Sequence, residues 1–179
     1  MPSQNTPVEA FVGFGSNLGD CLGNIRAAQD AIAALEGVEL VASSSIYRTE
    51  PVGVPEKYKE IWFYNTVALY RTSLPVNEWS RALHAIEAQM HRTRAERNAP
   101  RTIDIDLLTY GTLILQRPDL TLPHPQCLSR RFVCQPLAEL RPDFIIPGQT
   151  KTVAQILTEL PLTPQVEKLT FTNHETREN

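Results

Sequence analysis

Cysteine is scarce in this 179-residue chain: Cys21, Cys127 and Cys134 are the only thiols, and no two stand in CxxC spacing. An odd, unspaced set excludes a disulfide framework and a thiolate zinc site, and it suits a reducing compartment. Long apolar runs are missing as well, since none approaches the ~20 residues of a membrane-spanning helix. Met1 to Val8 is polar, without the basic-then-apolar layout of a signal peptide, so the expected location is the cytoplasm. An excess of one charge is also lacking. Seventeen basic residues against twenty acidic ones give a net charge of -3, so the surface as a whole is not built to attract nucleic acid. Neither an internal repeat nor a low-complexity linker is present.

What remains is an ordinary globular composition, 42% hydrophobic and 21% charged, enough for one domain with a sizeable core. Residues 1–162 are read as that domain and 163–179 as a C-terminal tail, disordered from Asn173 to Asn179. Ala10 to Gly15 predicts a buried strand, and Gly13 to Asp20 a tight turn beside the functional strands. Asp20 can cap a helix whose stripe is Leu22, Ile25, Ile32 and Leu35, with Gly37 at its C′ position. Val38 to Tyr47 and Ile61 to Tyr70 read as strands, separated by a Pro- and Gly-bearing loop over Glu50 to Lys59. Val76, Trp79, Leu83, Ile86 and Met90 recur at three and four, an amphipathic helix opened by Pro75.

Arg92 to Pro100 loses the period and reads as a basic loop. Thr102 to Tyr110 follows as a strand, and Leu113 to Leu115 as a short return strand. Arg130 to Leu140 reads as a helix shortened or kinked by Pro136. Thr152 and Gln155 form a capping box for a last helix through Leu160, beyond which little apolar period remains. The order strand, helix, strand, strand, helix, strand is that of an α+β fold. It predicts a ferredoxin-like αβ sandwich core with a mixed or antiparallel sheet.

The chemistry concentrates in Pro100-Arg101-Thr102-Ile103-Asp104-Ile105-Asp106. On a strand, Asp104 and Asp106 share a face while Ile103 and Ile105 take the other. Two carboxylates so close repel unless a cation lies between them. Mg²⁺ accepts one or two carboxylates together with phosphate oxygens and water. The alternatives are a solvated acidic edge or carboxylates answered by arginines. Arg92, Arg94 and Arg101, clustered with Arg97 just upstream, would suit a triphosphate; the alternative, which fits Arg97 better than Arg101, is a solvated helix end where cations complement the dipole. Phe63 and Asn65 share a face of their strand, an aromatic plate beside an amide that can read the edge of a flat heterocycle. Phe132 offers a second ring. His124, between Pro123 and Pro125, sits in a rigid turn.

Together with Gly15-Ser16-Asn17-Leu18-Gly19-Asp20, Ser45 to Pro51, Phe63-Tyr64-Asn65, Ile86-Glu87, Leu122 to Pro125 and Arg130-Arg131-Phe132, these residues resemble the 6-hydroxymethyl-7,8-dihydropterin pyrophosphokinase family of folate biosynthesis. The resemblance runs from about Phe11 to about Leu160. It implies an ATP-dependent diphosphotransferase that moves pyrophosphate from ATP to the pterin hydroxymethyl group and releases AMP. It further implies that Asp104 and Asp106 bind two Mg²⁺ ions, and that Arg92 and Arg101 bind the triphosphate while Arg94 closes with its loop. Glu87, Leu107, His124 and Arg130 would serve ATP; Thr49, the Val52 backbone, Phe63, Asn65 and Phe132 would hold the pterin. The basic loop is one residue shorter than in well-known bacterial members, with Asn98 where a tryptophan can occur and Pro125 where an aromatic can follow the histidine. The expected partners are these small molecules, with neither nucleic acid nor membrane, and association with other folate-pathway enzymes is open. Two competing readings are a nucleotidyltransferase with the same two-carboxylate clamp and a non-catalytic RNA-binding module using the sheet aromatics and the arginine stretch.

Overall fold

The structure, a computed structural model, describes residues 6–90 and 99–170. Strand β1 (Val8–Ser16) is apolar on both faces because helices cover both sides of it. Helix α1 (Cys21–Ala33) begins where the Asp20 carboxylate accepts the Gly23 N–H. It ends at Ala34, three residues before Gly37. That glycine, at φ +74°, instead turns the chain against Ser73 and into β2, so it is not the helix C′ residue.

The stretch Val38 to Tyr47 is not one strand. It forms β2 (Val38–Ser43), bulged between Leu40 and Ala42, and β3 (Tyr47–Thr49) after a break. Strand β4 (Phe63–Thr72) is the longest, and α2 (Val76–Met90) follows with Trp79, Leu83 and Ile86 buried. Strand β5 (Asp104–Leu107) is shorter than its sequence predicts, because Leu108 and Thr109 turn their N–H groups to the Phe11 carbonyl as the chain leaves the ladder. The return strand appears as β6 (Leu115–Gln116) paired with β7 (Thr121–Leu122). Helix α3 (Arg131–Leu140) accommodates a buried Pro136, and α4 (Val153–Glu159) carries the full Thr152–Gln155 capping box. Strand β8 (Val166–Lys168) pairs with β3, so the stretch beyond 162 adds an edge to the sheet. Its three residues are too few to show a period. The disorder expected for Asn173 to Asn179 lies outside the described residues, as do residues 92–98 of the basic loop expected over Arg92 to Pro100.

The six-stranded sheet runs β5-β1-β4-β3-β8, with β2 also paired to β4, and every pairing is antiparallel. The element order and the central place of β1 and β4 are those of a ferredoxin-like α+β sandwich. Helices α1 and α2 cover one face over Ala10, Val12, Phe14, Ala68, Tyr70 and Ile105. Helices α3 and α4 cover the other over Phe11, Val67, Leu69 and Leu108. On that second face Asp104, Asn65 and Thr49 lie toward the ends of β5, β4 and β3.

Candidate active site

Strand register explains the site. Asp104 lies opposite Gly15, Gly15 opposite Asn65, and Asn65 opposite Tyr47, giving a lateral row across β5, β1, β4 and β3. Asp106 lies opposite Gly13 in the next row, and Phe63 opposite Thr49 in the row on the other side. All of these point to the face that α3 and α4 cover, since Val67 and Leu69 of the same β4 parity enter that core. With strands ~4.8 Å apart, Asn65 and Asp104 face one another across ~10 Å of sheet whose middle position bears no side chain. Gly15 makes this an open trough. A Cβ built there would come within 2.9 Å of Asn65 Oδ1.

Asn65 is buried, and its Nδ2 donates to Thr49 Oγ1 at 2.9 Å. That bond leaves Oδ1 directed over Gly15 as an acceptor. Phe63 flanks the same end, and Phe132, in the first turn of α3, packs against the second core with the Arg130 guanidinium 5.5 Å from its ring centroid. Val52, 68% exposed, lies on the loop after β3.

At the other end Asp104 is partly buried and Asp106 exposed. Arg101 Nη1 lies 3.2 Å from Asp104 Oδ1, so the reading of a carboxylate answered by arginine is realised at this position. Arg101 is itself held by Asn17: its N–H donates to Asn17 Oδ1 at 2.8 Å and its carbonyl accepts the Asn17 N–H at 3.2 Å. Ser16 Oγ donates to the Thr102 carbonyl at 2.5 Å. The Gly-Ser-Asn stretch is therefore not simply a tight turn. Gly13 and Gly15 floor the trough within β1, the turn is confined to the residues after Ser16, and Asn17 fixes the approach to the acidic strand. Two glycines spaced by two inside an apolar run were the available signal, since that spacing bares one face of a strand.

Behind the outer edge of β5 a cleft of about 270 Å³ is lined by Leu83 and His84 of α2, Ile105, Asp106 and Leu107 of β5, Thr121 and His124 among others. Asp106 thus borders both cleft and trough. Glu87 Oε1 accepts the N–H of Ile105, the residue between the two aspartates, at 2.8 Å. His124 is anchored by its N–H to the Leu108 carbonyl at 2.8 Å, and its Nδ1 accepts the Gln126 N–H, which leaves the proton of the neutral ring on Nε2. Burial pushes the His124 pKa down, and Arg130 lowers it further, while Asp106 opposes both. Arg130 also donates to Gln126 Oε1. Arg92 and Arg94 lie outside the described residues. The structure brings Asp104, Asp106, Arg101, Asn65, Thr49 and Phe63 to one face, and places Leu107 and His124 in the adjoining cleft. Such a site can hold a flat, hydrogen-bonding ring at one end and a polyanion with its cation at the other.

A family model described as 7,8-dihydro-6-hydroxymethylpterin-pyrophosphokinase (HPPK) matches residues 11–142. The chain is 38% identical over 154 residues to the 2-amino-4-hydroxy-6-hydroxymethyldihydropteridine pyrophosphokinase of Synechocystis sp., covering 86% of this chain and 77% of the relative. It is 36% identical over 153 residues to the Haemophilus influenzae protein of the same name, covering 86% and 91%. A solved Plasmodium falciparum HPPK-DHPS chain shares the fold at a TM-score of 0.68 and 13% identity, over 88% of this chain but only 46% of that longer one. The matched stretch contains every trough and cleft residue from Gly13 to Phe132, and the chain belongs to the 7,8-dihydro-6-hydroxymethylpterin-pyrophosphokinase family.

Proposed function

We propose that the chain transfers the terminal pyrophosphate of ATP to the hydroxymethyl group of 6-hydroxymethyl-7,8-dihydropterin, releasing AMP, as a step of folate biosynthesis. The observation that carries this reading is the row Asn65–Gly15–Asp104, a side-chain-free trough with an amide at one end and a carboxylate at the other. The pterin ring lies over Gly15 between Phe63 and Phe132, its edge read by Asn65, Thr49 and the Val52 backbone. ATP enters the cleft on the other side of β5, against Leu107 and His124. Its triphosphate crosses Asp106 toward the trough, bound by Arg101, Arg130 and, on the family resemblance, Arg92 and Arg94, with Glu87 supporting this side.

Asp104 and Asp106 fit Mg²⁺: they are hard oxygen donors on one face, and no third His, Cys, Asp or Glu among the described residues closes a cage around them. Such an open pair suits an ion that keeps water and phosphate among its ligands. Two bound Mg²⁺ ions would supply charge neutralisation along the phosphates and polarise the β-phosphoryl group. The protein contributes position and charge, which is most of what phosphoryl transfer asks of it. Asn65 and the two rings point the hydroxymethyl oxygen at the β-phosphorus. Asp104 accepts its proton, and the arginines meet the charge that gathers on the leaving AMP. A cytoplasmic location accords with the free thiols of Cys21, Cys127 and Cys134, and among the described residues no helix is long and apolar enough to cross a membrane. Association with other enzymes of the pathway accords with the fold's place inside the longer HPPK-DHPS chain.

The test is incubation with ATP, Mg²⁺ and the hydroxymethyl dihydropterin. AMP formation supports the reading, whereas release of free pyrophosphate with a nucleotidylated product would support nucleotidyl transfer instead. The trough gives a narrower prediction. Gly15→Ala places a Cβ against Asn65 Oδ1 in a strand paired on both sides, so Asn65 must swing away from Thr49. The expected result is a rise of ~tenfold in the pterin KM, the order of one lost hydrogen bond in a desolvated site. Gly13→Ala, where the nearest atoms are the Leu108 methyls at 3.6 Å, serves as the mild control.

A further inference from the structure

Two turns from Phe132, at the far end of α3, the Glu139 carboxylate gathers hydrogen bonds from the sheet. Its Oε1 accepts the Ser45 N–H at 2.9 Å and the Ser45 hydroxyl at 2.8 Å, and its Oε2 accepts the Tyr47 phenol at 2.5 Å. Lys168 Nζ of β8 stands 3.8 Å from Oε2. Burial pushes the Glu139 carboxyl up, but the bonds from Tyr47 and Ser45 more than offset it and hold the group ionised. Burial, reinforced by Glu139, pushes the Tyr47 phenol well above its ordinary value, so it remains a donor. None of these groups touches the proposed reacting atoms.

Their placement nevertheless bears on the ring-binding slot. Glu139 and Phe132 are seven residues apart on α3, so they share a face and stand ~10 Å apart along the axis. Tyr47 and Thr49 share a face of β3, and Tyr47 lies directly beside Asn65 in the lateral row. The same two elements therefore meet at the clamp and, farther along, border the slot. The C-terminal end of α3 is pinned to the sheet twice, by Glu139 to β3 and by Arg141 to Glu9 of β1 at 2.6 and 2.9 Å. Its N-terminal end is held differently: Arg131 donates to the Leu157, Leu160 and Pro161 carbonyls at the end of α4. The ring-bearing end thus follows the helix layer, and Glu139 sets the angle of that layer against β3.

We infer that Glu139, with Tyr47 and Ser45, is a positioning residue for the pterin half of the site: it fixes the gap between the Phe132 ring and the Asn65–Thr49 floor. This rests on the pterin reading given above. Fluorescence titration of hydroxymethyl pterin and separate titration of ATP, on the whole chain, test it. Glu139→Ala is expected to weaken pterin binding ~tenfold with ATP binding within about twofold, the signature of a misplaced ring and not of general loss. Glu139→Gln, which keeps an acceptor, is expected to restore most of the loss. Tyr47→Phe removes only a hydroxyl and keeps the question open to test should the alanine variant fold poorly; it should weaken pterin binding severalfold. Equal pterin affinity in wild type and Tyr47→Phe, parallel loss of pterin and ATP, or a Gln variant no better than Ala would each overturn the inference. Wild-type protein that bound ATP but no pterin would bring down the substrate reading, and the inference with it; wild type that binds pterin as tightly as Glu139→Ala does brings down the inference alone.

Discussion

Asp106→Ala is expected to cut AMP formation by about a thousandfold or more, with the thermal midpoint close to that of wild type. Asp106 is exposed at the border between cleft and trough, so its side chain adds little to packing. Its loss removes one of the two adjacent oxygen donors that the proposed function assigns to Mg²⁺ beside the triphosphate. A charge-stabilising contact made only as the phosphoryl group moves contributes several kcal/mol, and each 1.4 kcal/mol is about tenfold in rate. Asp104→Ala should be as severe in rate but differ in a second respect: it also releases Arg101 from its 3.2 Å pairing. Raised Mg²⁺ should recover part of the lost rate in either variant if the metal assignment is right. Normal turnover of both variants at ordinary Mg²⁺ would sink it.

Phe132→Ala is the second large effect. Stacking of a flat base on an aromatic side chain contributes ~1–3 kcal/mol, which corresponds to roughly five- to more than a hundredfold in affinity. The loss should fall mainly on the pterin, with ATP affinity little changed, because the cleft proposed above for the nucleotide lies beyond β5 and no residue of α3 lines it; of the proposed ATP contacts only Arg130 stands against the ring. A modest drop in stability should accompany it, since Phe132 is half-buried against the second core. Equal loss of both ligands, read by separate titrations, would argue against stacking.

The strands and helices that carry these residues were legible from local signals. The Asp20 cap and the Thr152–Gln155 capping box sit where the sequence puts them, and the stripe from Val76 to Met90 is α2. Alternation on one strand also placed Asp104 with Asp106, and Phe63 with Asn65. What one strand cannot reveal is register against another. The roles of Gly13 and Gly15 exist only because β1 lies between β4 and β5, so the pair reads as turn chemistry until the neighbours are known. Asn17 and Glu139 were opaque for a similar reason: each acts through a partner at least 84 residues away. Gly37 misled because a glycine just past an apolar stripe suits a C′ position, yet tertiary contact with Ser73 gave it another turn.

On the proposed function the trough directs the hydroxymethyl oxygen of a pterin to the β-phosphorus of ATP. Phosphorus NMR of a turnover mixture with ATP labelled separately at the β and γ positions tests it most directly. The expected products are AMP and a pterin ester in equal amounts, with both labels on the ester. An ester carrying the γ label alone, with ADP as co-product, would contradict it.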